Sequence, residues 1–458
     1  MNKKLKQGLA WLGRPRERFR RLPQWVQQFS INVFIGMSIV IWIQMNADAA
    51  FVKAQQNRGL DWLSRLVTNT SLAPRPQQPL FMVNVDAETY TEWQEPWLTP
   101  ADKIAALVER MLQAAPAQLV VDFDFSRRSD LQPLLDVLVR YTQGEAQRTH
   151  LVFMKTQTLA KPSGSVLPGF RDSELDSIIA KSEYLHWAAP LFRPDSDGVI
   201  RNWQLIVPGC EGGKLKLMPS VQLLSVLLHF DHPVDQLEKS LVRGQGRDCS
   251  GEPAFGGSLV LDDNKVIDFS ESDLRHRIIY ALPPAPKDGY LPVPWKGVSL
   301  PALTQVSAHS LLATEALPTA SMLQDAIVII GATHPDSGDI HQTPLGAMPG
   351  SLILANSIVA LQGLDQVERP PLWLIMVIEF VLVLGTSWFF LVMSPYTATF
   401  VSAGVIIVIV VPVSLLAFSQ GVWIDFALPV LAVQLRSVFF KANDRFQRVR
   451  SKGLKGFL

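Results

Sequence analysis

The stretch LWLIMVIEFVLVLGTSWFFLVM, residues 372–393, decides the architecture of this chain, because it is long and apolar and holds one ionisable side chain, Glu379. About 20 apolar residues in a helix cross the roughly 30 Å hydrocarbon core of a bilayer. Three further runs have this character, at residues 25–45, 399–418 and 422–440. The sequence therefore predicts four transmembrane helices, one before a long polar region and three after it.

The basic residues beside these runs predict the orientation, since Lys and Arg are retained on the cytoplasmic side. Both tails, residues 1–24 and 441–458, are strongly basic, so both are expected inside, in agreement with an even number of spans. The region between the first two spans is then extracytoplasmic, in a bacterial inner membrane facing the periplasm. The basic residues are Lys3, Lys4, Lys6, Arg14, Arg16, Arg18, Arg20, Arg21, Lys441, Arg445, Arg448, Arg450, Lys452 and Lys455.

The first span has an alternative interpretation, because a basic start, an apolar core and Ala47-Asp48-Ala49 resemble a cleavable signal peptide. The apolar core is long for a signal, and residues 51–67 continue as an amphipathic helix. These features favour an uncleaved anchor that leads into a stalk over residues 46–78.

The composition is that of a membrane-anchored globular protein, with 48% hydrophobic residues, 18% charged residues and a net charge of +1. This balance gives no reason to expect nucleic-acid binding, and attraction to acidic lipid would come from the two tails. The chain has two cysteines, Cys210 and Cys249, both in the extracytoplasmic region. In an oxidising compartment such a pair is expected to form a disulfide.

The extracytoplasmic region, residues 79–364, alternates short apolar runs with amphipathic helical patterns, which is typical of a mainly parallel, doubly wound α/β sheet. Residues 199–281 are richer in hairpin signals, including Asp262-Asp263-Asn264, and predict an antiparallel extension. The predicted strands are residues 80–85, 119–123, 150–154 and 326–330, and the predicted helices are residues 101–114, 130–141 and 351–361.

Several segments together resemble the CHASE2 sensor domain of bacterial receptors, an extracytoplasmic α/β module followed by three transmembrane helices. They are FMVNVDAETY (81–90), QLVVDFDFS (118–126), LHWAAPLFRPDSDGVIRNWQL (185–205), MPSVQLLSVLL (218–228) and AIVIIGATHPDSGDIHQTPLGAMPGSLILANSIVAL (326–361). The resemblance implies a sensor. Members of that family usually continue into a cytoplasmic enzyme, whereas this sequence ends at Leu458, so the resemblance also implies a separate output partner.

Polar side chains follow several predicted strands, and ligands of open α/β sheets bind at the carboxyl ends of the strands. If these strands are neighbours, four carboxylates and two histidines, His334 and His341, face one crevice that suits a cation or a small polar ligand. The alternative is that these aspartates cap helices and stabilise turns. The candidate ligand-binding residues are Asp86, Asp122, Asp124, Thr333, Asp339 and His341.

No metal, cofactor or catalytic site is predicted. Pro194-Asp195-Ser196-Asp197-Gly198 lacks the spacing of a calcium loop and predicts a type I turn. Gly331-Ala332-Thr333 lacks the Lys of a phosphate loop, and the sequence has no Gly-x-Ser-x-Gly motif.

Glu379 lies about 10 Å below the outer membrane surface, at 1.5 Å per residue. An ionisable side chain at that depth is costly unless it is paired or wetted. Gln44 and Gln434 are candidate partners, in a structural hydrogen bond or in signal relay or ion passage.

Three classes of function fit these features. The first is a non-enzymatic receptor that binds a ligand or an envelope protein and signals through a separate membrane or cytoplasmic output partner. Formation of a homo-oligomer is compatible with this class. The second is a structural or assembly subunit of an envelope or transport complex. The third is an extracytoplasmic hydrolase that uses the carboxylates, and the missing nucleophile motif argues against it.

The predicted topology is tested by reporter fusions at Leu458 and near Gln245. We expect the two fusions to report opposite sides of the membrane, because both basic tails should remain in the cytoplasm. An extracytoplasmic signal from the Leu458 fusion would contradict four spans.

Overall fold

The computed structural model describes residues 19, 22–68, 70, 72–126, 128–144, 148–162, 164–190, 192–234, 237–241, 249–250, 256–262, 265–270, 274–284, 292–295, 298–301, 303–314, 323–363 and 366–424. The chain divides into two compact units. The sheet unit comprises Ser64–Glu368 and Ser419–Gly421, and the membrane unit comprises Met1–Leu63, Arg369–Phe418 and Val422–Leu458. The basic tail 441–458, almost all of the tail 1–24 and most of the fourth predicted span lie outside the described residues.

The helices and strands of the described residues are numbered here in chain order. The helices are α1 Gln24–Met45, α2 Ala50–Thr68, α3 Ala87–Glu92, α4 Ala101–Ala114, α5 Gln132–Gln143, α6 Asp176–Ile179, α7 Val221–His229, α8 Leu237–Leu241, α9 Ala308–Ala313, α10 Gly350–Gly363, α11 Leu372–Val392, α12 Pro395–Val405 and α13 Val411–Phe418, with a π-helical turn Ile406–Val410 between the last two. The strands are β1 Leu80–Val85, β2 Gln118–Asp124, β3 His150–Met154, β4 Leu185–Ala188, β5 Phe192–Pro194, β6 Ile200–Trp203, β7 Ile206–Glu211, β8 Lys214–Pro219, β9 Ser258–Asp262, β10 Lys265–Asp268, β11 Pro292–Trp295, β12 Val298–Pro301, β13 Leu303–Ser307, β14 Ile327–Ala332, β15 Ile340–Thr343 and β16 Gly346–Pro349.

The sheet unit is built on six parallel strands in the order β13-β1-β14-β2-β3-β4. The parallel α/β prediction is therefore confirmed. The late strand β14 lies between β1 and β2, so that Val83 faces Val306 on one side and Ile330 on the other. This insertion brings residues that are far apart in sequence to one edge of the sheet.

Helices cover both faces of this sheet, because its strands are apolar on both sides. One face packs on α4, α5 and α9 through a core that includes Ile104, Leu134, Leu311 and Val121. On the other face α10 contacts β14 and α7. Helix α10 is buried from Gly350 to Gln362, which explains why its apolar residues show no amphipathic pattern.

The hairpins form separate two-stranded antiparallel sheets, which corrects the expectation of an extension on the main sheet. They are β5–β6, β7–β8, β9–β10, β11–β12 and β15–β16, and the last two lie outside residues 199–281. The two residues between β9 and β10, Asp263 and Asn264, lie outside the described residues.

Residues 194–198 form a turn, as the sequence predicts. The Asp195 backbone N–H donates to Val199 O, and the Gly198 N–H donates to Asp195 O. The buried guanidinium of Arg201 pairs with both Asp195 and Asp197 at 2.8 Å. This pairing lowers the pKa of Asp197 and gives both carboxylates a structural partner.

The membrane unit contains three described helices that are long and apolar enough to cross a bilayer, namely Gln24–Met45, Leu372–Val392 and Tyr396–Phe418. Helix α1 packs on α11. The buried positions of α11 are Glu379, Val383 and Ser387, one helical turn apart, and a Cβ on Gly36 of α1 would lie 2.7 Å from Val383 Cγ1. Glycine therefore permits the close approach that is common between membrane helices.

Cys210 and Cys249 form a disulfide with their Cα atoms 5.8 Å apart, across 39 positions of sequence. We expect replacement of both by Ala to lower the free energy of unfolding by roughly 3–4 kcal/mol, because the bond restricts the unfolded chain. Denaturant unfolding of the purified protein measures the change. If both cysteines are labelled after the protein is denatured without a reductant, the pairing is contradicted.

Candidate ligand site at the carboxyl edge of the sheet

The candidate site is centred on Asp122, near the carboxyl end of β2. In the sheet register Asp122 lies opposite Gly331 of β14. A Cβ on Gly331 would lie 2.6 Å from Ser351 Cβ and 3.5 Å from Asp122 Cβ. Gly331 thus leaves the space in which the first turn of α10 approaches both β14 and the Asp122 side chain.

Asp339 holds the start of α10 from the preceding loop. Its backbone oxygen accepts the Gly350 N–H at 2.8 Å. A Cβ on Gly350 would overlap the Asp339 carboxylate, so that this carboxylate lies against the helix start itself. His341 Nε2 lies 2.9 Å from Asp339 Oδ1. A carboxylate is favourable at this position because the amino end of a helix carries partial positive charge and free N–H donors.

The two carboxyls interact electrostatically. Burial, followed by the nearby Asp339, raises the pKa of Asp122 to about 8. Burial also raises the pKa of Asp339, and its hydrogen bond with His341 opposes that rise. Near neutral pH the pair therefore retains a proton on Asp122, which makes one carboxyl a donor and leaves the other as an acceptor.

A solute reaches this pair from solvent, since the Asp339 and His341 side chains each keep 41% of their area exposed. Beneath them, the fully buried Ser351 Oγ has no hydrogen-bond partner among the described residues. A buried hydroxyl without a partner is costly, so a polar ligand at this point would satisfy it. The sequence analysis missed Ser351, because nothing in its local pattern separates it from an ordinary first-turn serine.

Asp122, Asp339 and His341 lie around the start of α10, whereas two other predicted residues, Asp86 and Asp124, make local contacts of their own. Asp86 Oδ1 accepts the Thr89 N–H at 2.9 Å and caps α3, and the Ser307 hydroxyl donates to it. Asp124 accepts the Ser126 N–H and pairs with Arg171 at 3.6 Å. These are the capping and turn roles of the alternative interpretation.

Thr333 follows β14, and its backbone N–H donates to Val85 O at 3.0 Å. The neighbouring His334 is buried and stacks on Tyr90 with ring centroids 4.0 Å apart. Burial lowers the pKa of His334. The cluster defined by Asp122, Asp339, His341 and Ser351 is called the aspartate crevice below.

The comparisons with known proteins agree with this architecture. The family model of the CHASE2 domain matches residues 34–394, which is most of the chain. The chain belongs to the CHASE2 family. No curated protein and no solved structure matches. CHASE2 is an extracytoplasmic sensor domain, and the three candidate membrane helices make this CHASE2 chain a membrane protein with a sensory region.

The aspartate crevice brings several kinds of polar group together. Among the described residues no group of three or more His, Cys, Asp or Glu side chains is arranged to hold a metal. The CHASE2 chain instead combines a protonated carboxyl, a carboxylate and a helix amino terminus. Together these groups offer both hydrogen-bond donors and hydrogen-bond acceptors.

A cavity of about 980 Å³ in the CHASE2 chain lies beside β4 and is called the β4 groove. His150 Nδ1 lies 3.0 Å from His186 Nε2, and both rings line the groove. Burial lowers the pKa of both, in the case of His186 to about 4. The sequence analysis missed this pair, because it depends on the register between β3 and β4.

Within the membrane unit Glu379 lines a cavity of about 30 Å³ together with Gln44, Gln56 and Arg369. A cavity of this size holds about one or two waters if polar groups line it. The predicted neighbour Gln44 is thus at the same cavity, and Gln434 lies outside the described residues.

The raised pKa of Asp122 predicts a stability that depends on pH. The folded state holds its proton up to about pH 8, well above the ordinary value of 3.8, so stability should fall as the pH rises between these values. We expect Asp122→Asn to remove this slope and to stabilise the protein above pH 8 by roughly 1–3 kcal/mol, a value reduced for partial exposure.

Thermal unfolding of the purified chain across this pH range measures the effect. Asp124→Asn is the matched control, because it removes a carboxylate of the same strand that is exposed and bound to Ser126 and Arg171. A slope that persists in Asp122→Asn and disappears in Asp124→Asn would contradict the assignment.

Proposed function

We propose that this protein is a non-enzymatic sensor subunit of a bacterial inner membrane. It binds a small polar ligand in the aspartate crevice on the extracytoplasmic side. The bound state changes the helices of the membrane unit, and a separate membrane or cytoplasmic partner reads that change. Membership of the CHASE2 family supports the sensory role, and the crevice supplies the stimulus site.

The observation that carries this proposal is that the carboxyls of Asp122 and Asp339 both lie beside the start of one buried helix, α10. Asp339 lies against Gly350, and Asp122 lies beside Gly331 and Ser351. A change in the protonation or ligation of this pair therefore acts directly on the first turn of α10. Burial keeps the Asp122 carboxyl protonated near neutral pH, and the neighbouring Ser351 hydroxyl has no partner among the described residues, so a ligand at this point would act on both groups.

The ligand is a solute with several hydrogen-bond donors or a positive charge. Such a solute replaces the proton on Asp122 and restores an ionised carboxylate pair around itself. The unpartnered Ser351 Oγ then accepts or donates one further hydrogen bond. Since the proton and the ligand compete for Asp122, binding weakens as the pH falls below about 8.

Two routes lead from the crevice toward the membrane unit, one along the chain and one through a hydrogen bond. The first is α10, which ends at Gly363. Residues 364–371, which include the stiff pair Pro370-Pro371, connect it to α11. The second is α2, because Arg65 Nε donates to Pro344 O at 2.7 Å in the hairpin that carries His341. The start of α2, Ala50–Leu63, belongs to the membrane unit.

Helix α10 is suited to transmit a displacement because it is buried and firmly bound. Asn356 Oδ1 accepts the N–H groups of Ala281 and Leu282 at 2.8 and 2.7 Å, and Asn356 Nδ2 donates to Leu282 O. Tightly packed elements move as units between discrete positions. The ligand shifts this equilibrium only as far as it prefers one of the two positions.

The proposal predicts a coupled response to a pH change across the Asp122 pKa. In the wild type, we expect hydrogen exchange to change both in residues 350–354 and in residues 372–392 of the protein in nanodiscs. Asp122→Asn should abolish both changes because it removes the titrating carboxyl, and Asp339→Asn should shift them to lower pH because it removes the neighbouring charge that raises the Asp122 pKa. Asp136→Asn is the charge-matched control, since Asp136 is bound to Gln132 on α5.

The two routes are separated by two further variants. Replacement of Pro370-Pro371 by Gly-Gly should leave the change in residues 350–354 and reduce that in residues 372–392, and Arg65→Met should weaken the response in residues 24–45. If both variants respond like the wild type, neither connector transmits the signal, and a structural or assembly role is then favoured.

A further inference from the structure

The β4 strand forms one end of the six-stranded sheet and leaves part of its edge open. Leu151 N–H donates to Tyr184 O and Lys155 N–H donates to Ala188 O, both at 2.8 Å, so the even-numbered residues of β4 face β3. Because successive residues of a strand point their backbone groups to opposite sides, Leu185 and Trp187 face away from β3.

Strand β8 occupies this open edge at one end only. Ala189 N–H donates to Pro219 O at 2.8 Å, and Ala189 pairs with Ser220 in a parallel bridge. Before that point, the outward N–H and C=O groups of Leu185 and Trp187 have no backbone partner among the described residues. An open strand edge of this kind is a template for a further strand.

The space between β4 and β8 is the β4 groove of about 980 Å³. This volume is at the upper limit of pockets for small molecules, and it accommodates several residues of an extended chain. Apolar contacts for alternate side chains of such a chain come from Trp187, Leu217, Met218 and Leu228.

The charges in the β4 groove favour a basic occupant. Lys155 pairs with Asp176 and lies over the Trp187 ring, and Lys216 lies 4.0 Å from Glu211. The exposed Glu183 and Asp231 also line the groove, and neither makes a salt bridge with another described residue. The neighbouring imidazoles of His150 and His186 are neutral near pH 7, because burial lowers their pKa values.

We propose that the β4 groove binds an extended, basic peptide segment of a partner protein by strand addition. The backbone of that segment pairs with Leu185 and Trp187, and its Lys or Arg side chains pair with Glu183 and Asp231. Main-chain hydrogen bonds then provide affinity, and the alternating side chains provide specificity. The groove shares no residue with the aspartate crevice, so this inference is independent of the proposed ligand.

The test measures binding of synthetic peptides to the full chain in detergent micelles. The probe alternates Lys and Val, a first control alternates Glu and Val, and a second control carries N-methyl groups on alternate backbone nitrogens of the Lys–Val peptide. We expect binding of the probe alone, because the first control reverses the charge and the second removes backbone donors. Equal binding of the probe and the N-methylated peptide, or no binding of the probe, would overturn the proposal.

Charge variants test the same groove without altering its core. Glu183→Gln and Asp231→Asn should each weaken the probe about two- to fivefold, as expected for exposed ion pairs. Asp136→Asn, which removes a carboxylate from α5, should have no effect. Unchanged affinity in the double variant would overturn the proposal. A stable dimer that prevents probe binding and that dissociates when Trp187 is replaced by Ala would also overturn the proposal. In that case a second copy of the chain would occupy the groove.

Discussion

The sheet unit depends on one close approach, that of the first turn of α10 to the end of β14. Gly331 and Gly350 permit it, since a Cβ on either would overlap Ser351 or Asp339. The approach allows a buried apolar helix to begin directly above a parallel strand, with Asp122 and Asp339 beside its amino end. Both the burial that raises their pKa values and their access to the helix follow from this geometry.

The local elements were predictable because hydrophobic periodicity reports burial directly. β1, β3 and α4 have the expected bounds, and the other predicted elements differ by a few residues. Hydrophobic periodicity does not predict the order of the strands within the sheet. β14 comes late in the sequence but lies between β1 and β2 in the sheet. Asp122 of β2 is therefore opposite Gly331 of β14, and Asp86 follows β1, two strands away from β2. Sequence distance carries no information about such an insertion.

The same limit explains the division of the candidate residues. Asp339 and His341 were predictable as a pair because an acid and a histidine two positions apart, shortly before Pro344, are hard to explain by helix capping alone. Asp86 and Asp124 have the same sequence signature but satisfy backbone N–H groups nearby. Only the identity of the neighbouring donor separates a capping aspartate from a ligand-binding one, and for Asp86 and Asp124 that donor belongs to a residue two or three positions further along the chain.

The two proposed sites of the sheet unit would use different physical means of recognition. In the aspartate crevice the proton on Asp122 and the charge of the helix end would set the affinity for the proposed ligand, which we therefore expect to depend on pH. In the β4 groove the unpaired groups are backbone N–H and C=O, which do not titrate, and the histidines stay neutral near pH 7. The proposed sensor would detect a solute at one site and hold a partner at the other, because a pH change that titrates the crevice leaves the strand edge of the groove unaltered.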